Sequence, residues 1–216
     1  MINTIIFDLD GVIVDSEMHW ASLEEPFLKN LIPDSYDEYH KDIVGRSVSD
    51  IYQYLATNYN IPIDKDEFLR TYDEMAVRVY EEDSNLLPGV MELIKLLKNE
   101  GFTLSITSSS PIFWVSMAVE RFELAQYFEK VISADDTECK GKPAPDIYLY
   151  TLERLKKYPN ECLAIEDSKN GVLSAKEAGI KCVGLKNGFN DHQDLSLSDL
   201  VIWDFQELSL DVIRRI

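Results

Sequence analysis

The 216 residues carry 21 basic against 39 acidic side chains, a formal charge of −18, and 45% of the chain is hydrophobic. Such a length suits one large core, or one core with a smaller appended domain, domains commonly running to about 100–200 residues. No block of Lys and Arg supplies the cationic face that a phosphate backbone requires, so nucleic acid is excluded as a partner, and an anionic substrate would have to be held by local cations, a metal among them. The first residues show no charged leader followed by a long apolar stretch, so neither a secretory signal nor a membrane span is expected. Cys139, Cys162 and Cys182 are odd in number and lack Cys-x-x-Cys spacing. They support neither a disulfide framework nor a zinc site, and the cytoplasm is the expected location.

Ile5, Ile6 and Phe7 form a continuous apolar run, which suits a strand buried on both faces in a parallel sheet. If that strand persists to about Asp10, the carboxylates of Asp8 and Asp10 face one spot beyond its carboxyl end. Open α/β sheets place their ligands there. Gly11 then allows a tight departure. Asp15 or Ser16 can cap a helix to about Leu31, broken by Pro33, Asp34 and Ser35. A second helix covers Tyr36–Ile43 and ends near Gly45. Ser47 with Asp50 resembles a capping box opening a third through Tyr59, and Asp64 to about Glu82 reads as a fourth. This helical stretch is too long for an ordinary connection inside a sheet. A separate helical domain over residues 15–84 is therefore expected, inserted into a core of residues 1–14 and 85–216; an elaborated crossover is the alternative.

From Leu87 strand and helix alternate regularly. A helix follows Pro88-Gly89 to about Asn99, a strand covers Thr103–Thr107 and stops in Ser108-Ser109-Ser110, and Pro111 suits the first turn of the next helix. Val131-Ile132 is a short strand, Pro145–Lys157 a helix, Cys162–Ile165 a strand ending in Glu166-Asp167, and Asn170–Ala178 a helix stopped by Gly179. Lys181–Gly184 and Leu200–Ile202 complete the strands, with Asn187–Asp199 read as a polar loop. The fold class is α/β, a doubly wound parallel sheet with helices on both faces.

The chemistry lies where the strands stop. Asp8/Asp10, Ser108/Ser109, Lys142 and Glu166/Asp167 would share one edge of a parallel sheet. Together they suit phosphoryl transfer, because a phosphate monoester repels an anionic nucleophile unless a metal and fixed donors neutralise its oxygens. Asp8 and Asp167 would hold Mg²⁺, which prefers oxygen ligands. Ser108 and Lys142 would bind the phosphoryl oxygens, Asp8 would attack, and Asp10 would protonate the leaving oxygen and then deprotonate water. Taken singly, each group also has a plainer role. Asp-x-Asp after a strand serves as a turn device; the serines, and Glu166 with Asp167, could cap the helices after them; Lys142 could be a solvated loop lysine.

DLDGV at 8–12, ITSS at 106–109, KPAPD at 142–146 and IEDSKNG at 165–171 resemble, in order, the motifs of the haloacid dehalogenase superfamily of phosphatases and phosphomutases. LLPGV at 86–90 and AKEAGIKCVG at 175–184 extend the likeness. The resemblance implies a Rossmann-like core with a four-helix cap, Mg²⁺ dependence, and Asp8 as nucleophile with Asp10 as acid and base. It implies Ser108, Ser109 and Lys142 as phosphate binders and Asp8, Asp167, the main-chain carbonyl of Asp10 and, through water, Glu166 as metal ligands. Within the superfamily the chain resembles the β-phosphoglucomutase-like branch. Where the mutase has a histidine this chain has Trp20, with His19 one step, roughly 100°, out of place on a helix. Where the mutase has a lysine, this chain has Pro111. Both features resemble hexose-phosphate phosphatases, so hydrolysis of a small phosphate ester by a monomeric enzyme is expected. A mutase is the runner-up and a receiver-like phospho-accepting module the rival from another class.

Gly45-Arg46-Ser47 resembles the cap loop that dips into such sites. Arg46 could pair with a second anionic or polyhydroxyl group of the substrate, or simply with Asp42 and Asp50. Trp20 could stack on a sugar ring or serve as core.

Overall fold

The structure, a computed structural model, describes residues 1–33, 36–43, 47–136 and 140–216, the side chains of Asp37 and Lys41 excepted. Gly45, Arg46 and Cys139, and the expected helix breakers Asp34 and Ser35, lie outside the described residues. The chain forms two compact units, Ser16–Ser84 and Met1–Asp15 with Asn85–Ile216. Among the described residues, no helix is long and apolar enough to cross a membrane.

The helical unit contains α1 (Ser16–Leu31), α2 (Tyr36–Ile43), α3 (Val48–Asn58) and α4 (Lys65–Val77), the last continued by a π-helical segment over Arg78–Asp83. The caps act as their residue types dictate. Ser47 accepts from the Asp50 amide ahead of α3, and Asp64 accepts from the Glu67 amide ahead of α4. Aromatic packing ties α1 to α4. The Phe27 ring meets Phe68 at 5.5 Å and Tyr72 at 5.9 Å between centroids, and Tyr39 donates to the Leu28 carbonyl at 3.0 Å.

The second unit is built on a six-stranded sheet, β1 (Thr4–Phe7), β2 (Thr103–Ser108), β3 (Lys130–Ser133), β4 (Cys162–Glu166), β5 (Lys181–Leu185) and β6 (Leu200–Ile202), in the order β3-β2-β1-β4-β5-β6. Every pairing is parallel. Phe7 stands between Ile106 and Ile165, so β1, β2 and β4 end nearly level. The winding reverses between β1 and β4, and such a reversal opens a crevice at the carboxyl edge. Ile5, Ile6 and Phe7 are fully buried, each burial contributing roughly 1.5–3 kcal/mol. Ile6 joins Ala164, Cys162 and Cys182 against α7 (Asp146–Leu155) and α8 (Lys169–Glu177). Ile5 and Phe7 point to the other face by the strand's period of two.

The remaining helices are α5 (Val90–Asn99), α6 (Ile112–Arg121) and α9 (Leu210–Arg215). α9 had no sequence expectation, and the fourth expected helix, Asp64 to about Glu82, is α4 together with its π-helical continuation. One expectation is corrected: β1 ends at Phe7, short of Asp10, because the chain turns at Leu9, whose carbonyl accepts from the amides of Ile13 at 2.8 Å and Val14 at 3.1 Å.

Candidate active site

The Asp8 amide donates to the Ile165 carbonyl at 3.0 Å, which carries the β1–β4 pairing one residue past β1 and fixes Asp8 at the crevice. Asp10 lies on the turn that follows. Gly11 has φ +72°, and a Cβ there would collide with Oδ2 of Asp167 and approach Nδ2 of Asn187 to 3.0 Å. Only glycine suits both demands.

Lys142 is the hub. Its Nζ reaches Asp8 Oδ1 at 2.9 Å and Glu166 Oε1 at 2.6 Å, and donates to the Thr107 carbonyl at 3.3 Å. Its side chain is only 7% exposed, so it is not a solvated loop lysine. Tyr148, fully buried on α7, donates its hydroxyl to the same Glu166 oxygen at 2.5 Å. The other Glu166 oxygen, Oε2, is buried with no hydrogen-bond partner among the described residues, and it lies where a Cβ on Gly171 would stand.

Asp8, Glu166 and Asp167 each offer an oxygen, all within 4.8 Å of one another. Among the described residues these buried carboxylates outnumber the ammonium that Lys142 brings to them. Burial pushes the Asp8 carboxyl up to about 8, with Glu166 and Asp10 adding to the rise and Lys142 opposing it. For Lys142 burial works against the charge, but Asp8 and Glu166 outweigh it and hold the ammonium well above its ordinary range. A divalent cation on these oxygens would offset the negative charge gathered there. The donor set fits such an ion: all oxygen, two carboxylates cradled on glycines, and one carboxylate oxygen orphaned.

Asp10 faces differently. Its Oδ2 accepts from Ser110 Oγ at 2.8 Å and from Ser108 Oγ at 3.4 Å, while Ser108 Oγ accepts from the Ser110 amide at 3.0 Å. Ser133 Oγ donates to the Ser110 carbonyl at 2.8 Å and so braces this corner from β3. Ser109 is exposed. The serines do not cap α6, since the Ile112 amide goes to Asp135 Oδ2 at 2.7 Å. Nor do Glu166 and Asp167 cap α8, where Ser168 accepts from the Gly171 amide.

The sequence reading missed Ser110, Tyr148, Asn187 and Asn190. Asn187 and Asn190 lie in the segment read as a plain polar loop, yet both donate to Asp167, Asn187 Nδ2 to Oδ2 at 3.1 Å and Asn190 Nδ2 to the carbonyl at 2.6 Å. Trp20 lies in the helical unit. Its ring stacks on Tyr72 at 6.2 Å and meets Tyr80 edge-on at 6.1 Å, and its Nε1 donates to the Tyr80 hydroxyl at 3.3 Å.

Comparison with known proteins points the same way as the geometry. The chain is 29% identical over 213 residues, 98% of each partner, to a phosphorylated carbohydrates phosphatase of Thermotoga maritima. It is 30% identical to hexitol phosphatase B of Escherichia coli K12, over 82% of this chain and 81% of that protein. The crystal structure of CbbY from Rhodobacter sphaeroides in complex with phosphate superposes with a TM-score of 0.84 at 25% identity, over 99% of this chain and 100% of that one. A family model described as haloacid dehalogenase-like hydrolase matches residues 5–185, taking in β1 to β5 and every carboxylate described above, and the chain belongs to that family.

Proposed function

We propose that the protein is a Mg²⁺-dependent phosphatase that hydrolyses small phosphate monoesters, hexose phosphates foremost, through a phosphoryl group carried on Asp8. The observation that supports this most directly is the junction of Lys142 with Asp8 and Glu166 beside Asp167, at the carboxyl edge where the sheet reverses. Relatives named phosphorylated carbohydrates phosphatase and hexitol phosphatase B support the choice of substrate class.

In the first step Asp8 attacks phosphorus, the ester P–O bond breaks, and Asp10 delivers its proton to the leaving oxygen. In the second, water attacks the phosphorus on Asp8, Asp10 takes the water's proton, and the bond to Asp8 breaks to release inorganic phosphate. Lys142 and the hydroxyls of Ser108 and Ser109 hold the phosphoryl oxygens. A Mg²⁺ ion held by Asp8, Asp167, the Asp10 carbonyl and, through water, Glu166 would supply the positive charge that lets an anionic nucleophile approach an anionic phosphate. Arg46 and Trp20 are the proposed specificity residues, and the helical unit is the proposed lid.

Pre-steady-state kinetics of Asp10→Asn with an aryl phosphate tests the scheme. The aryl oxide leaves without help from an acid, so one equivalent of phenol per site should appear in a burst, followed by a stall because the second step lacks its base. Steady release with no burst and no slow phase would contradict the two-step assignment.

A further inference from the structure

The loop after β5 is built as a clamp on Asp167. Asn187 Nδ2 donates both to Asp167 Oδ2 at 3.1 Å and to the Gly11 carbonyl at 2.8 Å, so one amide group joins the end of β4 to the turn carrying Asp10. Fully buried Asn190 donates from Nδ2 to the Asp167 carbonyl at 2.6 Å and the Leu185 carbonyl at 2.8 Å. The two side chains also hold each other. Asn187 Oδ1 accepts from the Asn190 amide at 3.1 Å, and Asn190 Oδ1 accepts from the Asn187 amide at 3.1 Å. Lys186 closes the loop from behind, its Nζ donating to the carbonyls of Asn190 at 3.1 Å and Gln193 at 2.7 Å. An aspartate side chain turns freely about its bonds unless its oxygens are held, and a hard cation binds only when its oxygens are presented together.

We infer that Asn187 and Asn190 are positioning residues that orient Asp167 and the backbone beside Asp10 for a divalent cation, and so set the affinity of the site for Mg²⁺. This rests on the metal reading proposed above. The amide is suited to the task because it donates to a carboxylate and a carbonyl at once, which neither an aspartate nor an alanine can do. Gly11 leaves the space in which the three groups meet.

Calorimetric titration of the resting protein with Mg²⁺, in the absence of substrate, tests the inference in Asn187→Ala. Loss of a group that orients a metal ligand commonly weakens binding by about 10–100-fold, and that range is expected here, with thermal unfolding in chelator close to wild type. Asn187→Ser carries the same test should the alanine variant lose its fold. Wild-type affinity in a folded variant overturns the inference alone. Absence of Mg²⁺ binding in the wild type overturns the metal reading and this inference with it.

Discussion

A carboxylate that attacks phosphorus must be ionised, yet burial and the neighbouring carboxyls push Asp8 upward. Lys142, in direct contact at 2.9 Å, opposes that shift, and a cation on the Asp8, Glu166 and Asp167 oxygens would finish the task. Asp8→Asn removes the nucleophile while keeping shape and hydrogen bonding, and turnover should fall to background with the thermal unfolding temperature essentially retained. Activity near that of the wild type would exclude Asp8 as nucleophile. Asp10 depends on a subtler neighbour. Ser110 holds its Oδ2 at 2.8 Å, a shorter contact than that of Ser108 at 3.4 Å. Ser110→Ala should therefore lower kcat by about tenfold, a barrier change of roughly 1.4 kcal/mol, with little change in KM. A raised KM at constant kcat would instead make Ser110 a substrate contact.

β1, β4 and β5 are legible because each is a largely apolar run that stops at polar or charged residues, Asp8, Glu166 and Lys186, and the edge they share follows from the alternation of strand and helix. The loops between them were less readable. Asn187 and Asn190 sit among residues with no periodicity, and nothing in NGFN distinguishes a carboxylate clamp from a surface turn. Tyr148 falls on the buried face of α7, where an aromatic reads as core, and only the fold brings its hydroxyl to Glu166. Likewise, which serine of Ser108–Ser110 reaches Asp10 depends on how the chain leaves β2. The join of β5 to β6 shows the same kind of hidden organisation. Asp199 accepts from the Cys182 amide at 2.8 Å and pairs with Lys176 at 2.6 Å and Lys181 at 2.9 Å. Partial burial works to raise its carboxyl, but these donors outweigh it and hold it down at about 2. A carboxyl lowered on folding stabilises above its ordinary value and loses that contribution as pH falls through the lowered one. Asp199→Asn should thus unfold at a lower temperature than wild type near neutrality, with the gap closing as pH drops from about 4 towards 2. A gap that stays constant across that range would mean the lysine pairs contribute nothing.

The protein carries a formal charge of −18, yet its proposed substrate is an anion. Long-range repulsion should slow encounter, and salt shortens its reach to about 8 Å at physiological ionic strength. At saturating Mg²⁺, kcat/KM for a sugar phosphate should rise as monovalent salt is raised from low to physiological levels, with kcat nearly constant. A fall in kcat/KM would show that the local cations dominate the approach. The two units divide the work as proposed. On that proposal the sheet would carry the phosphoryl chemistry and the helical unit, where Trp20 packs on Tyr72 and Tyr80, would supply selection. The decisive measurement is phosphate release from a panel of sugar phosphates, nucleotides and pyrophosphate, with and without Mg²⁺. Metal-dependent release favouring hexose phosphates is the expected result. No release from any member, with β-glucose 1-phosphate converted to its 6-phosphate isomer once a bisphosphate is supplied, would contradict the hydrolase and establish a mutase.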